Sequence, residues 1–220
     1  MDYTCKIKKI IDETHDVKTF QLDKPADYKF MPGYHAILGL PDLKIKRFFT
    51  ISSSPLSDTL NFTIKLNKEF THTIFNKKIG DDVIVGEPRG KGLIFKDEYT
   101  EPLLLLAVGS GIAPFMSLIE YLIDKESKQD VVLLLGNKTH SDIIFKDRLD
   151  SLPDNFRVVY IISREEAENK GHVDEEMILK HVPDLRNRRW FACGIPVFVK
   201  SIDKVAEKYV NKGLIHSEFF

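Results

Sequence analysis

The stretch from Pro102 to Leu122, PLLLLAVGSGIAPFMSLIEYL, constrains the fold of this chain more than any other segment. Leu103 to Val108 form an unbroken apolar run, which is typical of a strand buried on both faces of a parallel sheet. Gly109-Ser110-Gly111 then predicts a tight turn, and from Ile112 the apolar residues recur at helical spacing. Pro114 falls in the first helical turn, where its missing N–H costs nothing.

A strand, a glycine turn and a helix start together predict an anion site, because backbone N–H groups and the helix dipole converge there. The stretch differs from the usual dinucleotide fingerprint, since Pro114 stands where a third small residue is expected. The next predicted strand ends in Gly136-Asn137-Lys138 rather than in an acidic residue. A Rossmann domain that holds FAD or NAD in the usual way is therefore disfavoured. A strand and helix without any ligand remain the alternative.

Length and charge bound the class of protein. The chain has 220 residues, enough for one large domain or two small ones with their own cores. Its formal net charge of −1 gives no reason to expect nucleic acid or an anionic membrane surface as a partner. The apolar run is far shorter than the roughly 18 residues of a membrane span, so no membrane insertion is expected. The polar N-terminus lacks a signal peptide, which predicts a cytoplasmic location.

The two cysteines, Cys5 and Cys193, stand far apart and outside any Cys-x-x-Cys pair. A structural disulfide is therefore not expected. An iron–sulfur cluster held by this chain is excluded, because such a cluster needs about four thiolates. The seven histidines lack the spacing of metal ligands, so no metal site is predicted.

The N-terminal half is predicted to form short strands, separated by clusters of Pro, Gly, Asp and Ser. These strands are Tyr3–Ile11, Val17–Leu22, His35–Leu40, Lys46–Ile51, Leu60–Lys65 and Val83–Val85. Because little helix lies between them, residues 1–98 are predicted to form a small antiparallel β-barrel domain.

From Pro102 the pattern changes to alternating strands and helices, which is typical of a parallel open sheet. The predicted strands are Leu103–Val108, Val131–Leu135, Arg157–Ile162, Trp190–Ala192 and Leu214–His216. The predicted helices are Pro114–Lys125, Asp142–Ser151, Asp174–His181 and Pro196–Asn211. Residues 101–220 are thus predicted to form a C-terminal α/β domain.

Arg47-Phe48-Phe49-Thr50 stands out within the barrel half. In a strand, Arg47 and Phe49 share one face while Phe48 and Thr50 share the other. An arginine beside an aromatic ring can bind a phosphate while the ring lies against a flat heterocycle. An edge-strand arginine beside a core phenylalanine is the alternative. Further on, Thr71 stands at a short helix start, where its hydroxyl could contact a phosphate or only cap the helix.

These motifs resemble the ferredoxin–NADP reductase family of flavoproteins, and the resemblance covers essentially the whole chain. Pro32-Gly33-Tyr34 precedes Arg47-Phe48-Phe49-Thr50 as in that family, whose version of the second motif is Arg-x-Tyr-Ser or Arg-x-Tyr-Thr. The resemblance implies that Arg47 binds the FAD pyrophosphate, that Phe49 packs against the flavin and that Thr50 hydrogen-bonds near flavin N5. Phe49 replaces the family's tyrosine, so the hydrogen bond from that hydroxyl to the cofactor is lost.

The resemblance implies further contacts to FAD. Ile64, Lys65 and Leu66 would line the flavin through their backbone, and Thr71 would touch the pyrophosphate. At the carboxyl terminus, Glu218 and Phe220 match the family's Glu-x-aromatic ending. That ending implies that the last ring covers the flavin and that the carboxylate lies near the hydride path.

The second half carries the nucleotide motifs of the family. Gly109, Gly111 and Pro114 match its Gly-x-Gly-x-x-Pro turn, which receives the pyridine nucleotide, and Ser110 stands where threonine is common. Cys193-Gly194-Ile195-Pro196 matches the Cys-Gly-x-Pro motif, whose cysteine lies beside the nicotinamide carbon that donates hydride. From the residue type alone, a buried cysteine is more often an inert packing residue.

Ser163 and Arg164 end the third predicted parallel strand. Their hydroxyl and guanidinium groups could take the 2′-phosphate of NADPH, with help from Lys170. Glu165, Glu166 and Glu168 crowd the same segment and weaken an anion site, so a solvated loop is the alternative. NADPH is only slightly favoured over NADH.

The sequence therefore predicts a two-domain FAD oxidoreductase that passes electrons between NAD(P)H and a one-electron carrier. Cys193, Glu218 and Thr50 are its expected catalytic residues. Because the chain has no iron–sulfur ligands of its own, an external acceptor such as ferredoxin or flavodoxin is expected. Two alternatives remain, namely a flavin reductase that holds flavin loosely as a substrate and a non-catalytic nucleotide-binding regulator with the same fold.

Overall fold

The computed structural model describes residues 2–41 and 43–219. Contacts divide the chain into two compact units. Unit 1 comprises the residues up to Phe95 together with Ala113–Lys125, and unit 2 comprises Lys96–Ile112 together with the residues from Glu126 onward. The domain limits 1–98 and 101–220 remain a prediction, because Ala113–Lys125, which the sequence assigns to the second half, groups with unit 1.

Unit 1 is built on a six-stranded antiparallel sheet in the order β4-β3-β6-β1-β2-β5. Its strands are β1 (Asp2–Thr14), β2 (Val17–Asp23), β3 (His35–Leu40), β4 (Leu43–Thr50), β5 (Thr59–Lys65) and β6 (Asp82–Gly86). The two edges of the sheet meet just beyond β4, where Ile51 forms a bridge with Phe62 of β5. The backbone N–H of Ser52 also donates to the carbonyl of Asn61 at 2.8 Å. The predicted antiparallel barrel is confirmed.

The barrel encloses an apolar core that the alternating strand pattern supplies. Ile7, Phe20, Leu38, Phe62 and Val85 are among its buried members. Two helices belong to this unit, α1 (Glu69–Phe75) and α2 (Ala113–Asp124). Within unit 1, the buried hydroxyl of Ser117 on α2 donates to the carbonyl of Ser53 at 2.7 Å.

Gly33, in the predicted Pro-Gly-Tyr turn, needs to be glycine for two reasons. Its φ of +88° lies in the left-handed region. A Cβ at this position would also lie 2.0 Å from the carbonyl oxygen of Leu93. The turn therefore packs directly against the segment that follows the barrel strands.

Unit 2 is a five-stranded parallel sheet in the order β11-β10-β7-β8-β9. Its strands are β7 (Leu103–Val108), β8 (Val131–Asn137), β9 (Phe156–Ile162), β10 (Arg189–Gly194) and β11 (Ile215–Phe219). Its helices are α3 (Lys146–Asp150), α4 (Glu175–His181) and α5 (Pro196–Ala206). The predicted α/β architecture is confirmed.

Several predicted elements have different limits in the structure, and three in unit 2 differ by three or more residues at one end. The helix predicted over Asp142–Ser151 is wrong in its first part, because a 3₁₀ turn (His140–Asp142) is followed by Phe145 with a φ of +61° before α3 begins. The helix predicted over Pro196–Asn211 ends at Ala206. The last strand extends to Phe219 rather than ending at His216, because it stays in register with β10.

The two faces of the parallel sheet carry different residues. One face packs into a core that includes Leu104, Leu134, Val159, Trp190 and Ala192. Strand alternation places Cys193, Glu218 and Asn137 on the opposite face. These three residues lie at the carboxyl ends of their strands, which is where open parallel sheets bind ligands.

Within residues 2–41 and 43–219, no helix combines the length and the apolar character needed to span a bilayer.

Candidate functional site

The glycine turn after β7 is a 3₁₀ turn (Gly109–Ile112) that leads directly into α2. Gly109 has a φ of +51°, and a Cβ there would meet no atom within 4 Å. Gly111 is the opposite case, because its Cβ would lie 2.2 Å from the carbonyl oxygen of Cys193. The turn is thus packed tightly against β10 at Gly111 and has open space at Gly109. Ser110 lies between them, and Pro114 lies in the first turn of α2.

Cys193 is the point at which this turn meets β10. Its side chain is only 3% exposed. In the parallel register it pairs with Ala107 of β7 on one side and with Glu218 of β11 on the other. Burial, and then the nearby Glu218 carboxylate, raise the pKa of the Cys193 thiol above its ordinary value. The thiol is therefore protonated at neutral pH, so it can pack and donate a weak hydrogen bond but is not a thiolate nucleophile.

Gly194 follows Cys193 at the end of β10. A Cβ on Gly194 would lie 2.4 Å from a methyl carbon of Val108 and 3.1 Å from the ring of Phe198. Only glycine therefore allows the strand to turn into α5 at this point. The sequence places Gly194 and Cys193 together in one motif, and the structure brings both against the glycine turn.

Asn137 was not predicted as a functional residue, yet its side-chain amide is buried without a hydrogen-bond partner among the described residues. Asn137 is 8% exposed as a whole, and both its side-chain nitrogen and its side-chain oxygen are buried. Neither atom has a hydrogen-bond partner among the described residues. Asn137 follows Gly136, which pairs with Val108, so its amide lies at the level of Gly109. A buried amide without partners is costly, which makes this edge of the sheet suited to a polar ligand.

The three residues predicted for the 2′-phosphate lie after β9, but they have protein partners. The Ser163 hydroxyl and N–H both donate to the carbonyl of Asn137, at 3.3 and 3.1 Å. The Arg164 N–H donates to the carbonyl of Lys138, while its side chain is exposed. Lys170 forms an ion pair with Glu166. Their role stays a prediction, with Arg164 carrying the exposed guanidinium.

Unit 1 presents Arg47 and Phe49 on one face of edge strand β4. Their cross-strand neighbours, Leu38 and Ala36, are fully buried. Arg47 itself is exposed, and its Nη1 donates to the carbonyl of Lys46 at 2.9 Å. Phe49 is half-buried, and its ring lies 5.5 Å from that of Phe70 at a tilt of 32°. An exposed cation therefore lies beside an aromatic ring at the rim of the core, as the strand pattern predicts.

The other face of β4 carries Phe48 and Thr50. Phe48 is 56% exposed and meets the ring of His35 edge-on, with centroids 5.3 Å apart. Thr50 is half-buried and pairs with His35 in the strand register. The predicted alternation of the two faces is thus present, and the individual roles of these residues stay predictions.

The predicted flavin-lining backbone lies on β5 and just after it. Ile64 is a core residue, and Lys65 is exposed and forms an ion pair with Asp16 at 2.9 Å. The backbone N–H of Leu66 donates to the carbonyl of Asp16 at 2.8 Å. That N–H is therefore already used within the protein.

The Thr71 hydroxyl acts as a local cap. It accepts from the N–H groups of Asn67 and Lys68, at 2.8 and 2.9 Å, and donates to the carbonyl of Lys68 at 2.7 Å. These three bonds use the whole hydrogen-bonding capacity of a hydroxyl. Of the two possibilities that the sequence leaves open, capping is the one that the geometry shows. The predicted contact to the pyrophosphate would have to displace one of these bonds.

Phe220, predicted to cover the flavin, lies outside the described residues. Glu218, two positions earlier, is half-buried on β11. Sequence reasoning did not find a further cluster on the same sheet face, formed by Arg189, Glu101 and His216. No local motif marks it, because its members are distant in the chain and meet only through the strand register.

The two sites fit the cofactors of a flavin-dependent reductase. In unit 2, the carboxyl edge of the sheet suits a nucleotide. It has open space at Gly109, a close backbone approach at Gly111 and a buried polar amide without partners at Asn137. In unit 1, the exposed Arg47 and the rim aromatic Phe49 suit a phosphate and a flat ring system.

Comparison with known proteins supports the same class. A family profile described as the oxidoreductase NAD-binding domain matches residues 105–204. The chain is 29% identical over 224 residues to the glycine betaine monooxygenase reductase subunit of Chromohalobacter salexigens, covering 92% of this chain. It is 30% identical over 214 residues to the probable dihydroorotate dehydrogenase B (NAD(+)), electron transfer subunit of Methanocaldococcus jannaschii, covering 93% of this chain and 73% of that protein. The chain spans 60% of the length of the Chromohalobacter subunit.

A solved structure shows the same fold over nearly the whole chain. The ferredoxin–NADP+ reductase of Neisseria gonorrhoeae with bound FAD and NADP superposes with a TM-score of 0.85 at 23% identity. The superposition covers 99% of this chain and 98% of that one.

An antiparallel barrel joined to a parallel nucleotide-binding sheet defines an oxidoreductase with a pyridine-nucleotide site. The chain belongs to the ferredoxin–NADP reductase family of flavoproteins. FAD and NAD(P)H are the cofactor and the electron donor of that family.

Proposed function

We propose that this chain is an electron-transfer reductase that holds FAD on unit 1, takes electrons from NAD(P)H bound on unit 2 and passes them to a one-electron carrier. The observation that carries this proposal is the packing of Gly111 against Cys193, where a Cβ would lie 2.2 Å from the cysteine carbonyl. This packing joins the nucleotide turn, the buried thiol and the strand next to Glu218 into one continuous edge. The close approach by itself requires glycine at position 111. The open space at Gly109 and the buried Asn137 amide without hydrogen-bond partners, both beside this edge, favour a bound nucleotide there.

The chemistry that a bound FAD would supply is acceptance of a hydride from a nicotinamide and release of the two electrons one at a time. The protein's own residues bind and orient. Arg47 would hold the pyrophosphate through charge-assisted hydrogen bonds, and Phe49 would lie against the ring system. The glycine turn would receive the nucleotide phosphates at the start of α2. The neutral Cys193 thiol would lie against the nicotinamide, and the Glu218 carboxylate would lie beside it and stabilise positive charge on that ring.

The acceptor is proposed to be a redox centre that lies outside these 220 residues. The chain carries two cysteines, too few for an iron–sulfur cluster of its own. The relatives from Chromohalobacter and Methanocaldococcus are described as a reductase subunit and an electron transfer subunit. A ferredoxin, a flavodoxin or a partner subunit with its own redox centre would therefore complete the pathway.

The choice between NADPH and NADH is proposed to rest on Arg164. Its guanidinium is exposed at the carboxyl edge, whereas the neighbouring Glu165 carboxylate accepts from the His140 N–H at 2.8 Å. Lys170 is paired with Glu166, so it contributes less positive charge to a 2′-phosphate. One arginine among acidic residues supports a modest preference for NADPH.

Steady-state turnover with each nucleotide, measured against ferredoxin, flavodoxin and free flavin, tests this function. We expect the FAD-loaded protein to reduce a protein carrier faster than it reduces free flavin. Faster turnover with free flavin, together with loss of FAD on gel filtration, would identify a flavin reductase instead. A protein that binds nucleotide but reduces no acceptor would be a regulator. Arg164→Ala should narrow the gap between NADPH and NADH without changing FAD content.

A further inference from the structure

Glu218 lies on β11, a short edge strand of unit 2. Strand β11 is five residues long and stands at the edge of the sheet, where β10 is its one partner among the described strands. A short edge strand is prone to fray, since its backbone is bonded along one side. A carboxylate that is to lie beside a reacting ring has to be placed to a fraction of an ångström. Contacts beyond the β10 ladder therefore help to fix this strand. One is the bond from the Ser217 hydroxyl to the Asp203 carboxylate of α5 at 3.1 Å.

Arg189, the first residue of β10, reaches β11 through its side chain. It is 7% exposed. Its Nη1 donates to His216 Nε2 at 2.9 Å and to the carbonyl of Gly213 at 2.9 Å. One guanidinium thus holds both the turn before β11 and the second residue of β11.

The same guanidinium is itself held firmly from the other side. Its Nη2 and Nε donate to the two carboxylate oxygens of Glu101, at 2.7 and 3.2 Å. Its central carbon lies 3.7 Å from the centroid of the Tyr99 ring. A bidentate ion pair and an aromatic face leave a planar guanidinium little freedom to turn.

The bond between Arg189 and His216 fixes the state of the imidazole. Arginine can only donate, so His216 Nε2 has to accept and the ring proton has to be on Nδ1. The ring is also stacked on Phe191, with centroids 4.7 Å apart and planes 15° apart. His216 is therefore held in one orientation by a hydrogen bond and by a stacked ring.

His216 and Glu218 are two residues apart on β11 and lie on the same sheet face. Their register partners on β10, Phe191 and Cys193, are also two apart and share that face. Any shift of the imidazole along the strand would carry Glu218 with it, because a strand is a stiff connection over two residues. The placement of Glu218 beside Cys193 is thus coupled to the contact that Arg189 makes.

We propose that Arg189 is a positioning residue that, through His216, sets the place of the Glu218 carboxylate beside Cys193. The inference rests on the proposed function, because Glu218 matters only if a nicotinamide reacts next to it. Arg189 and His216 do not touch the nucleotide in this scheme. They act on hydride transfer only through the strand that carries Glu218.

The charges around His216 agree with a neutral ring. Burial first, and then the cations Arg189 and Lys96, lower the pKa of His216 to about 4, against the opposing effect of the Glu101 carboxylate. Tyr99 also faces the imidazole, with ring centroids 5.4 Å apart. The acceptor form of His216 is therefore maintained at neutral pH.

A double-mutant cycle tests the proposal. His216→Leu removes the acceptor, and the matched control His216→Gln keeps one. We expect His216→Leu to slow flavin reduction by NAD(P)H about ten- to a hundredfold and His216→Gln to restore most of the rate. In a Glu218→Gln background, His216→Leu should change the rate by no more than about twofold, because the group that it positions is gone. Glu101→Gln, which loosens Arg189 from its other side, provides a second variant if His216→Leu does not fold.

A second measurement does not depend on activity. Nitrogen-15 spectra of labelled histidine report which ring nitrogen carries the proton. We expect His216 Nε2 to be unprotonated at pH 7 and to gain its proton only near pH 4. Arg189→Lys has a shorter and non-planar donor group. In this variant the preference for the proton on Nδ1 of His216 should weaken while FAD stays bound.

The outcomes separate two kinds of failure. If Glu218→Gln reduces flavin at the normal rate, the proposed role of Glu218 is wrong, and the positioning inference falls with it. If Glu218→Gln is slow but His216→Leu has its full effect in that background, Glu218 acts as proposed and Arg189 is only structural. An imidazole that is protonated on Nε2 at pH 7 would also overturn the inference.

Discussion

Cys193 and Glu218 are opposed in the register of the parallel strands β10 and β11, with their side chains on one face of the sheet. The thiol is buried and the carboxylate beside it is half-buried. Burial first, and then the negative charge of Glu218, keep the pKa of Cys193 above its ordinary value. A neutral thiol next to a carboxylate can orient a ring but cannot attack it.

Cys193→Ala should slow flavin reduction by NAD(P)H about tenfold or more in stopped-flow experiments, because the surface that orients the nicotinamide loses its sulfur. FAD content should not change. Cys5→Ala is the matched control, since Cys5 is equally buried but lies in the barrel core of unit 1. The wild-type rate should also show no rise between pH 7 and pH 9, because the thiol does not ionise there. Equal rates in wild type and Cys193→Ala would leave this cysteine as a packing residue.

Arg47→Ala should weaken FAD retention. A charge-assisted hydrogen bond to a phosphate is worth about 1.5–3 kcal/mol, which corresponds to a loss of roughly ten- to a hundredfold in affinity. Lys46→Ala is the control, because Lys46 precedes Arg47 on the same strand but is bonded to Asp2 at 2.8 Å. Flavin dissociation constants measured by fluorescence check this prediction. Equal losses in both variants would point to general surface charge rather than to a phosphate site.

Gly111→Ala should damage the nucleotide turn, because the added Cβ would lie 2.2 Å from the Cys193 carbonyl. Overpacking of this kind costs about 1–3 kcal/mol, and the turn or β10 has to shift. Affinity for NAD(P)H should therefore fall, while FAD binding on unit 1 should persist. Gly213→Ala is the control, since its Cβ would meet nothing within 4 Å. Nucleotide dissociation constants and thermal midpoints of both variants decide the outcome, and normal nucleotide affinity in Gly111→Ala would contradict the assignment.

Stability should depend on pH through His216. Its pKa is about 4 in the folded protein, against about 6.5 in the unfolded chain. Above pH 6.5 the ring is neutral in both states, and the contribution of the buried neutral His216 to the free energy of unfolding is fully present. As the pH falls toward 4, the unfolded state binds the proton first, so the free energy of unfolding decreases. His216→Gln should flatten this part of the stability curve relative to wild type, as measured by urea unfolding at pH 7 and pH 5. Parallel curves would show that His216 titrates normally.

The fold could be predicted from the sequence because its strongest patterns are local. The run Leu103–Val108 and the glycine turn after it predicted the central strand and the helix start, and the structure places β7 and the 3₁₀ turn there. The alternation around Arg47 predicted which residues share a face of β4, and the register agrees. Both the alternation of period two and a glycine turn depend on a few neighbouring residues, so the sequence alone reveals them.

The parts that could not be predicted depend on contacts between distant segments. The sheet register brings together Arg189, Glu101 and His216. Strands β10 and β11 pair in parallel, and Glu101 lies two residues before β7, which pairs with β10. The left-handed Phe145 interrupts a segment whose apolar spacing predicts a continuous helix. The Thr71 hydroxyl could have capped a helix or faced a phosphate, and only its three observed bonds distinguish these.

Anaerobic titration of the FAD-loaded protein with NADPH and with NADH tests the central claim most directly. We expect the yellow colour to bleach fully with about one equivalent of nucleotide, because two electrons reduce one flavin. Addition of an oxidised one-electron carrier such as ferredoxin or flavodoxin should then restore the colour as the carrier becomes reduced. A protein that retains FAD but is not bleached by either nucleotide, or that takes up no FAD at all, would contradict it.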